Sequence, residues 1–262
     1  MKRLLISVSI AVLIFSVALV PAEAKTLAGI IKADKIVIGV KADYPPWSAI
    51  NEKSEFEGWE IDLCHKLAEY LFADPKKVEF VAVTPESRIK LLTSGKIDII
   101  WATMGITSAR AEKLQFSIPY FESGVRLLAR KGSGINSIYD LKGKNVITIK
   151  GTTGAQGLAE LVPGAKQIKF IKPYEALQAL RNGEGIAFAQ DDLFAFTMAL
   201  YNPDLEVVGE YFNTTDWGVG IRKGEDDLKA FVDVSLRLMY ESGYLQDSLR
   251  KWWGGGVLSL IH

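Results

Sequence analysis

Short β-rich runs alternate with helix-forming segments along this chain, and the alternation begins a second time near its middle. The first series consists of predicted strands at 35–40, 78–83 and 97–101, with helices near 59–72 and 85–94. The second consists of predicted strands at 145–149, 167–171 and 186–189, with helices near 154–161, 174–182 and 192–200. This rhythm favours a mostly parallel sheet covered by helices on both faces. The sequence therefore predicts an α/β fold built from two units in tandem.

The C-terminal stretch 226–253 is helical in pattern but has no strand of its own to cover, so we expect it to pack back on the first unit. Such a return requires two crossings between the units, near 123–130 and 216–222. Both segments combine glycine with β-forming residues, as expected of hinge strands. The predicted division is lobe 1 at 25–126 plus 219–262, and lobe 2 at 127–218.

Residues 1–24 have the pattern of a secretory signal peptide. Lys2 and Arg3 precede a continuous apolar run over 4–20, and Ala22-Glu23-Ala24 forms an A-x-A cleavage site. A membrane anchor is the alternative, because the run is near the lower length limit for a spanning helix. The cleavage site favours removal, so we expect an extracytoplasmic mature chain that begins at Lys25.

Composition argues against several classes of protein. Removing Lys2, Arg3 and Glu23 from the 31 basic and 31 acidic residues of the full chain leaves a net charge near −1. Because no segment is rich in Lys and Arg, we expect no nucleic-acid partner. The single Cys64, on the apolar face of a predicted helix, cannot form an internal disulfide. No metal-binding motif occurs, so we expect neither metal nor cofactor. We expect a monomer.

Two short phrases point to a site for a small charged molecule. In WATMGITSAR, at 101–110, Arg110 follows small residues that leave backbone groups accessible. In KGTTG, at 150–154, a glycine- and threonine-rich turn opens a predicted helix and presents backbone N–H groups to an anion. An arginine guanidinium binds a carboxylate in a bidentate fork. The phrases therefore predict two halves of a clamp around a small zwitterion.

Seven motifs then occur in a fixed order between residues 35 and 254. They are GVKADYPPW at 39–47, GWEIDL at 58–63, RIKLLTSGKID at 88–98, MGITSAR at 104–110, FSIPYF at 116–121, DLKG at 140–143 and KGTTG at 150–154. Each motif is weak alone, but in this order they resemble the periplasmic solute-binding proteins that supply polar amino acids to ABC importers. The resemblance implies a type II clamshell, in which two lobes joined by two hinge strands close on a free L-amino acid and deliver it to a membrane permease.

By this resemblance, the lobe 1 motifs supply the ligand carboxylate site. Arg110 would hold the α-carboxylate, helped by backbone and hydroxyl groups of Thr103, Met104 and Gly105. Tyr44 would lie against the aliphatic part of the ligand. The alternatives are a surface arginine in the first turn of a helix and a tyrosine that only packs before the two prolines.

The lobe 2 motifs would complete the site on closure. The resemblance places the turn from Lys150 to Gly154 against the ligand, with Thr153 adding an N–H donor. Asp191 would take the α-ammonium group. An ion removed from water needs a partner and hydrogen bonds, so a zwitterion calls for both an arginine and an aspartate. Alternatively, Asp191 only caps the following helix, although Asp192 suits that role better.

The side-chain end of the site decides which amino acid is bound. Lys41 and Arg88 match cations of the aspartate- and glutamate-binding branch of the family, so the resemblance favours an acidic amino acid. The alternative is that Lys41 is a surface lysine and Arg88 a helix-face residue. Glutamine, arginine and lysine therefore stay open as ligands.

An enzyme on the same scaffold is the competing class. Cyclohexadienyl dehydratases resemble this family and require a general acid, a glutamate three residues after the lobe 2 aspartate. Here that position is Phe194. The histidines, His65 and His262, lie outside the predicted site and cannot orient a nucleophile there. We therefore expect no catalytic activity.

Overall fold

The computed structural model describes residues 26–258, so the predicted signal peptide lies outside the described residues. The strands are β1 Ile36–Val40, β2 Asp43–Tyr44, β3 Ser48–Ile50, β4 Phe56–Glu57, β5 Val78–Ala82, β6 Ile99–Ile100, β7 Gln115–Phe116, β8 Gly124–Arg130, β9 Asn145–Ile149, β10 Lys166–Phe170, β11 Ala187–Asp191, β12 Leu205–Thr214 and β13 Gly220–Ile221. The α-helices are α1 Leu27–Lys32, α2 Trp59–Phe72, α3 Arg88–Thr93, α4 Ser108–Ala111, α5 Thr153–Leu161, α6 Pro173–Arg181, α7 Asp192–Tyr201, α8 Asp226–Glu241 and α9 Tyr244–Leu258.

Two five-stranded sheets form the centres of two lobes. The lobe 1 sheet has the order β5-β1-β6-β13-β7, in which β1 is parallel to β5 and β6 while β13 is antiparallel to β6 and β7. All five residues of β1 are buried, because helices cover both faces of a parallel sheet. Strands β2, β3 and β4 form a small antiparallel sheet beside it.

The lobe 2 sheet has the order β10-β9-β11-β8-β12. Strands β10, β9 and β11 are parallel, as the strand–helix rhythm predicts, whereas β8 and β12 run antiparallel to their neighbours. The sequence pattern does not indicate β12, which shows no clear alternation because most of its residues are only partly buried. The two α/β units are therefore confirmed, each with antiparallel strands added.

The chain passes between the two sheets in two neighbouring segments. The N–H group of Thr215 donates to the carbonyl of Ser123 at 3.0 Å, and Trp217 forms antiparallel bridges with Phe121 and Gly105. The two connections thus run side by side in opposite directions. The expected pair of crossings is present, while the assignment of residues to lobes remains a prediction.

The C-terminal region is helical, as the pattern over 226–253 predicts, but it is divided. It forms two helices, α8 and α9, because Gly243 adopts a left-handed φ of +77° and donates to the carbonyl of Tyr240. Such a glycine ends a helix without the steric strain that a side chain would add. Both helices contact α2, and Ser248 donates to the carboxylate of Asp62 at 3.0 Å. Both C-terminal helices therefore pack on α2, and their assignment to lobe 1 stays a prediction.

Cys64 is fully buried in α2, as its position on the apolar helix face predicts. Between residues 26 and 258, no helix combines the length and apolar character needed to cross a membrane. The same range contains no group of three His, Cys, Asp or Glu side chains able to hold a metal ion.

Candidate ligand-binding site

A small cavity between the lobes collects most of the predicted site residues. Its walls are formed by Lys41, Pro85, Arg88, Thr103, Gly105, Arg110, Thr152, Thr153 and Asp191. Lys41 directly follows β1 and Asp191 ends β11, so the cavity lies at the carboxyl ends of parallel strands, where α/β proteins bind ligands. The cavity volume is about 10 Å³, room for about one water molecule. An amino acid therefore requires the lobes to separate or the walls to shift.

Arg110 connects the two lobes across this cavity. The side chain of Thr107 caps α4 by accepting from the Arg110 N–H group, which fixes the start of this short helix. The guanidinium then donates through Nη1 to the carbonyl of Gly105 at 2.6 Å and through Nη2 to the carbonyl of Gly151 at 2.9 Å. Burial lowers the pKa of Arg110, and the negative charge of Asp191 opposes that shift. The geometry makes Arg110 a partly buried cation that reaches from one lobe to the other.

The segment before Arg110 has an uncommon backbone. Thr103 has a φ of +44°, and its hydroxyl is buried without a hydrogen-bond partner among the described residues. Gly105 lines the cavity so closely that a Cβ there would lie 3.2 Å from Cγ2 of Thr153. The Met104 side chain instead packs in an apolar core of lobe 1, and its carbonyl accepts from the N–H of Gly218. Met104 therefore does not line the cavity.

The glycine- and threonine-rich turn of lobe 2 starts α5, as predicted. Thr152 caps the helix by accepting from the Ala155 N–H group, and Thr153 is buried at the cavity. Gly154 packs on β11, where a Cβ would lie 2.9 Å from the carbonyl of Ala189. Lys150 is exposed and does not line the cavity. Its N–H group donates to the carbonyl of Phe170 at 2.9 Å, at the end of the strand ladder.

Asp191 has its carboxylate directed to lobe 1. It occupies the position before α7 without a side-chain capping bond, and its Oδ2 accepts from the Tyr44 hydroxyl at 3.0 Å. Asp192 instead accepts from the Leu193 N–H group and the Ser123 hydroxyl. Burial raises the pKa of Asp191, and the positive charge of Lys41 opposes the shift. Asp191 is therefore free of the capping role considered above.

Tyr44 forms the wall behind Asp191. It is fully buried and stacks on Phe194 of α7, with ring centroids 5.2 Å apart and planes 4° apart. The Lys41 Nζ lies 3.5 Å from the centre of the Tyr44 ring. Tyr44 does not itself line the cavity, but it positions both the acid and the lysine that do.

Lys41 and Arg88 are buried cations rather than surface residues. Burial lowers the pKa of Lys41 to about 8, with Asp191 opposing the shift and Arg88 adding to it. Burial also lowers the pKa of Arg88 to about 9, and the like charge of Arg110 adds to this effect. Arg88 Nη1 donates to the carbonyl of Ala102 at 2.6 Å. Lys41 and Arg88 thus both line the cavity, while their contact with a ligand side chain stays a prediction.

Glu60 is a charged group near the site that is absent from the residues predicted from the sequence. Its carboxylate is fully buried, and Oε1 accepts from the Thr103 N–H group at 2.8 Å and from the Tyr120 hydroxyl at 2.5 Å. A signal was present: Glu60 precedes Cys64 by four residues and therefore shares the apolar face of α2. A carboxylate on a buried helix face indicates a specific partner.

Comparisons with known proteins agree with the family that the sequence motifs resemble. The family model described as bacterial extracellular solute-binding proteins, family 3, matches residues 36–255. The chain is 38% identical to the ABC transporter glutamine-binding protein GlnH of Bacillus subtilis (strain 168), over 87% of this chain and 84% of that protein. It is 31% identical to the L-glutamate/L-aspartate-binding protein of Pseudomonas aeruginosa, over 89% of this chain and 82% of that protein.

A solved structure extends the agreement to the fold. The solute receptor for L-cysteine of Neisseria gonorrhoeae superposes with a TM-score of 0.84 at 30% identity, covering 87% of this chain and 93% of that one. The predicted two-lobed fold is therefore confirmed. On its sequence and its fold, this chain belongs to the bacterial extracellular solute-binding proteins, family 3.

Proposed function

We propose that this chain is the extracytoplasmic binding component of an ABC importer and captures a free L-amino acid between its lobes. One observation carries the proposal: Arg110 and Asp191, from opposite lobes, line the same small cavity. The guanidinium suits an α-carboxylate, and the carboxylate suits an α-ammonium. The relatives named above, which bind glutamine, glutamate or aspartate, support the same ligand class.

Closure of the lobes is the proposed binding step. In the open form the ligand docks on Arg110 in lobe 1, and closure then adds Thr153 and Asp191 from lobe 2. Because the ligand makes contacts in the closed form that it lacks in the open one, it shifts the population toward closure. Removing a zwitterion from water costs several kcal/mol unless both charges are paired, so both residues are needed. The closed form is then presented to the permease.

The net charge of the residues that line the cavity favours a ligand with an acidic side chain. Three cations, Lys41, Arg88 and Arg110, line the cavity against one carboxylate, that of Asp191. After the α-carboxylate and α-ammonium are paired, Lys41 and Arg88 remain, with the charge of Glu60 acting on both. A second ligand carboxylate balances this excess, whereas an arginine or lysine side chain meets repulsion. We therefore propose glutamate or aspartate as the ligand.

Glutamine is the second candidate, and two observations favour it. GlnH of Bacillus subtilis is 38% identical to this chain, against 31% for the glutamate and aspartate binder. In addition, burial lowers the pKa of Lys41 to about 8, so the lysine loses its proton more easily than an exposed one. A neutral amide beside it is then less unfavourable than beside a lysine with the ordinary pKa. The acidic and amide ligands differ by one charge, which makes the choice testable.

A dehydratase-like activity is less well supported. The position that would require a glutamate is Phe194, whose ring is fully buried and stacked on Tyr44. His65 contacts the carbonyl of Pro75 away from the cavity. We therefore propose binding without catalysis.

Calorimetry on refolded protein freed of bound ligand tests the function. Glutamate, aspartate, glutamine, arginine and lysine are titrated in turn. Tight binding of glutamate or aspartate alone supports the acidic ligand, and tight binding of glutamine alone replaces it with the amide. Absence of heat with all five amino acids contradicts amino-acid capture by Arg110 and Asp191.

A further inference from the structure

Glu60 stands immediately behind the cavity wall rather than in it. Its side chain is fully buried near the start of α2. One oxygen, Oε1, accepts two hydrogen bonds, from Thr103 and Tyr120. The other, Oε2, has no hydrogen-bond partner among the described residues. A buried carboxylate oxygen without a donor is costly. Burial therefore raises the pKa of Glu60, and the hydrogen bonds from Tyr120 and Thr103 and the positive charges of Lys41 and Arg88 oppose that shift.

The compensating charges are the two cations at the side-chain end of the cavity. Lys41 and Arg88 are buried, with 5% and 2% of their surfaces exposed. Glu60 acts electrostatically on both: its charge raises the pKa of Lys41 and of Arg88 against the effect of burial. Charges in a poorly solvated interior act over longer distances than in water. A ligand side chain beside Lys41 and Arg88 therefore experiences the charge of Glu60 as well.

We propose that Glu60 is a specificity-determining residue that sets the net charge met by the ligand side chain, an inference that rests on the proposed amino-acid site. With Glu60 ionised, Lys41 and Arg88 together with Glu60 carry one net positive charge. That charge attracts a carboxylate but does not exclude an uncharged amide. Without Glu60 the same end carries two positive charges, and the preference for a carboxylate increases.

A purely structural role makes a different prediction. Glu60 holds the N–H group of Thr103, whose φ of +44° belongs to a strained backbone at the cavity wall. Loss of that support would weaken glutamate and glutamine binding by similar factors. The ratio of the two dissociation constants therefore separates the electrostatic role from the structural one.

The test is calorimetry on Glu60→Gln with glutamate and glutamine. This substitution keeps the shape and an oxygen acceptor but removes the charge. We expect the ratio of the glutamine to the glutamate dissociation constant to rise by about tenfold or more. Two controls keep the charge: Tyr120→Phe removes one donor to Oε1, and Glu60→Asp shortens the side chain. Both should leave the ratio within about threefold of wild type.

An unchanged ratio in folded Glu60→Gln overturns the role of Glu60 while leaving the proposed function intact. Wild-type protein that binds no amino acid overturns both. Should Glu60→Gln not fold, carbon-13 NMR of wild-type protein labelled at glutamate Cδ decides, with the signal assigned by its absence from Glu60→Asp. A carboxylate shift for Glu60 at pH 7 is expected, and a protonated carboxyl at that pH overturns the proposal.

Discussion

The hydroxyl of Tyr44 donates a 3.0 Å hydrogen bond to Oδ2 of Asp191, joining residues 147 positions apart in the chain. Tyr44 lies in β2 beside the lobe 1 sheet, and Asp191 ends β11 of the lobe 2 sheet. The bond therefore links the lobes from inside the cleft. Its acceptor is the carboxylate that we propose for the ligand ammonium, so ligand binding and interlobe contact depend on one group.

Tyr44→Phe removes this bond while keeping the ring stacked on Phe194. We expect the closed, ligand-free form to lose about 1 kcal/mol relative to the open form. Small-angle X-ray scattering should then give a larger radius of gyration for the ligand-free variant than for wild type. With saturating ligand the two radii should agree. Equal radii without ligand would show that the bond does not influence closure.

Arg110→Ala removes the proposed partner of the ligand carboxylate. We expect amino-acid affinity to fall by 30-fold or more, about 2 kcal/mol or above, because a buried carboxylate is left without its cation. Calorimetry measures the change. Arg181→Ala is the matched control, since Arg181 pairs with Asp204 on the surface of lobe 2. Retained affinity in Arg110→Ala would place the carboxylate elsewhere.

A substitution at Gly151 tests whether ligand binding requires the two lobes to approach as closely as they do in this structure. Gly151 has a φ of +76°, and a Cβ there would lie 2.8 Å from the carbonyl oxygen of Pro85, which follows β5 in lobe 1. Gly143 also has a φ of +76°, but a Cβ there meets nothing within 4 Å. Both alanine variants should lose about 1 kcal/mol of stability from the left-handed backbone.

Only Gly151→Ala should also weaken binding, by about tenfold or more, because its methyl group obstructs closure. Thermal unfolding and calorimetry on the two variants give both quantities. Equal affinities in Gly151→Ala and Gly143→Ala would mean that the lobes need not approach this closely to hold the ligand.

The pKa of Lys41, lowered by burial to about 8, predicts a pH dependence of binding. Asp191, Glu60 and Asp43 raise this pKa and Arg88 lowers it, but burial is the largest cause. As pH rises through about 8 the lysine loses its charge, so glutamate affinity should fall while glutamine affinity changes little. Calorimetry between pH 6.5 and pH 9.5 checks this. Parallel curves for both ligands would contradict a charged Lys41 at the side-chain end.

Lys41→Met should stabilise the protein while weakening glutamate binding. The folded-state pKa of Lys41 is about 8, below its ordinary 10.5. The lysine therefore opposes folding at every pH at which its side chain is protonated in the unfolded chain. The burial penalty is complete below pH 8 and disappears as pH rises to 10.5, so wild-type stability should increase over that window. At pH 7 the variant should gain up to about 3 kcal/mol. Denaturant unfolding at pH 7 and pH 10.5 measures the difference.

The alternation of strands and helices was sufficient to predict two α/β units, because parallel strands need helical crossovers and leave a regular pattern. Local sequence patterns were less informative where strand pairing or the backbone angle of a single residue decides the secondary structure. The sequence pattern does not indicate β12, because the burial of this strand depends on pairing with β8. Nor does the helical pattern of 226–253 indicate the break at Gly243, which depends on one dihedral angle.

At the site, the sequence by itself determined which residue types are available: an arginine after a run of small residues, a glycine- and threonine-rich turn, and an aspartate at the end of a strand. Only the tertiary structure decided which of them meet. It brings Arg110 and Asp191 to one cavity, turns Lys150 to solvent and directs Met104 into a core. It also buries Glu60 against Thr103, a residue of the cavity wall. Sequence periodicity reports which face of an element is buried, whereas electrostatic partners are set by distances between elements far apart in the chain.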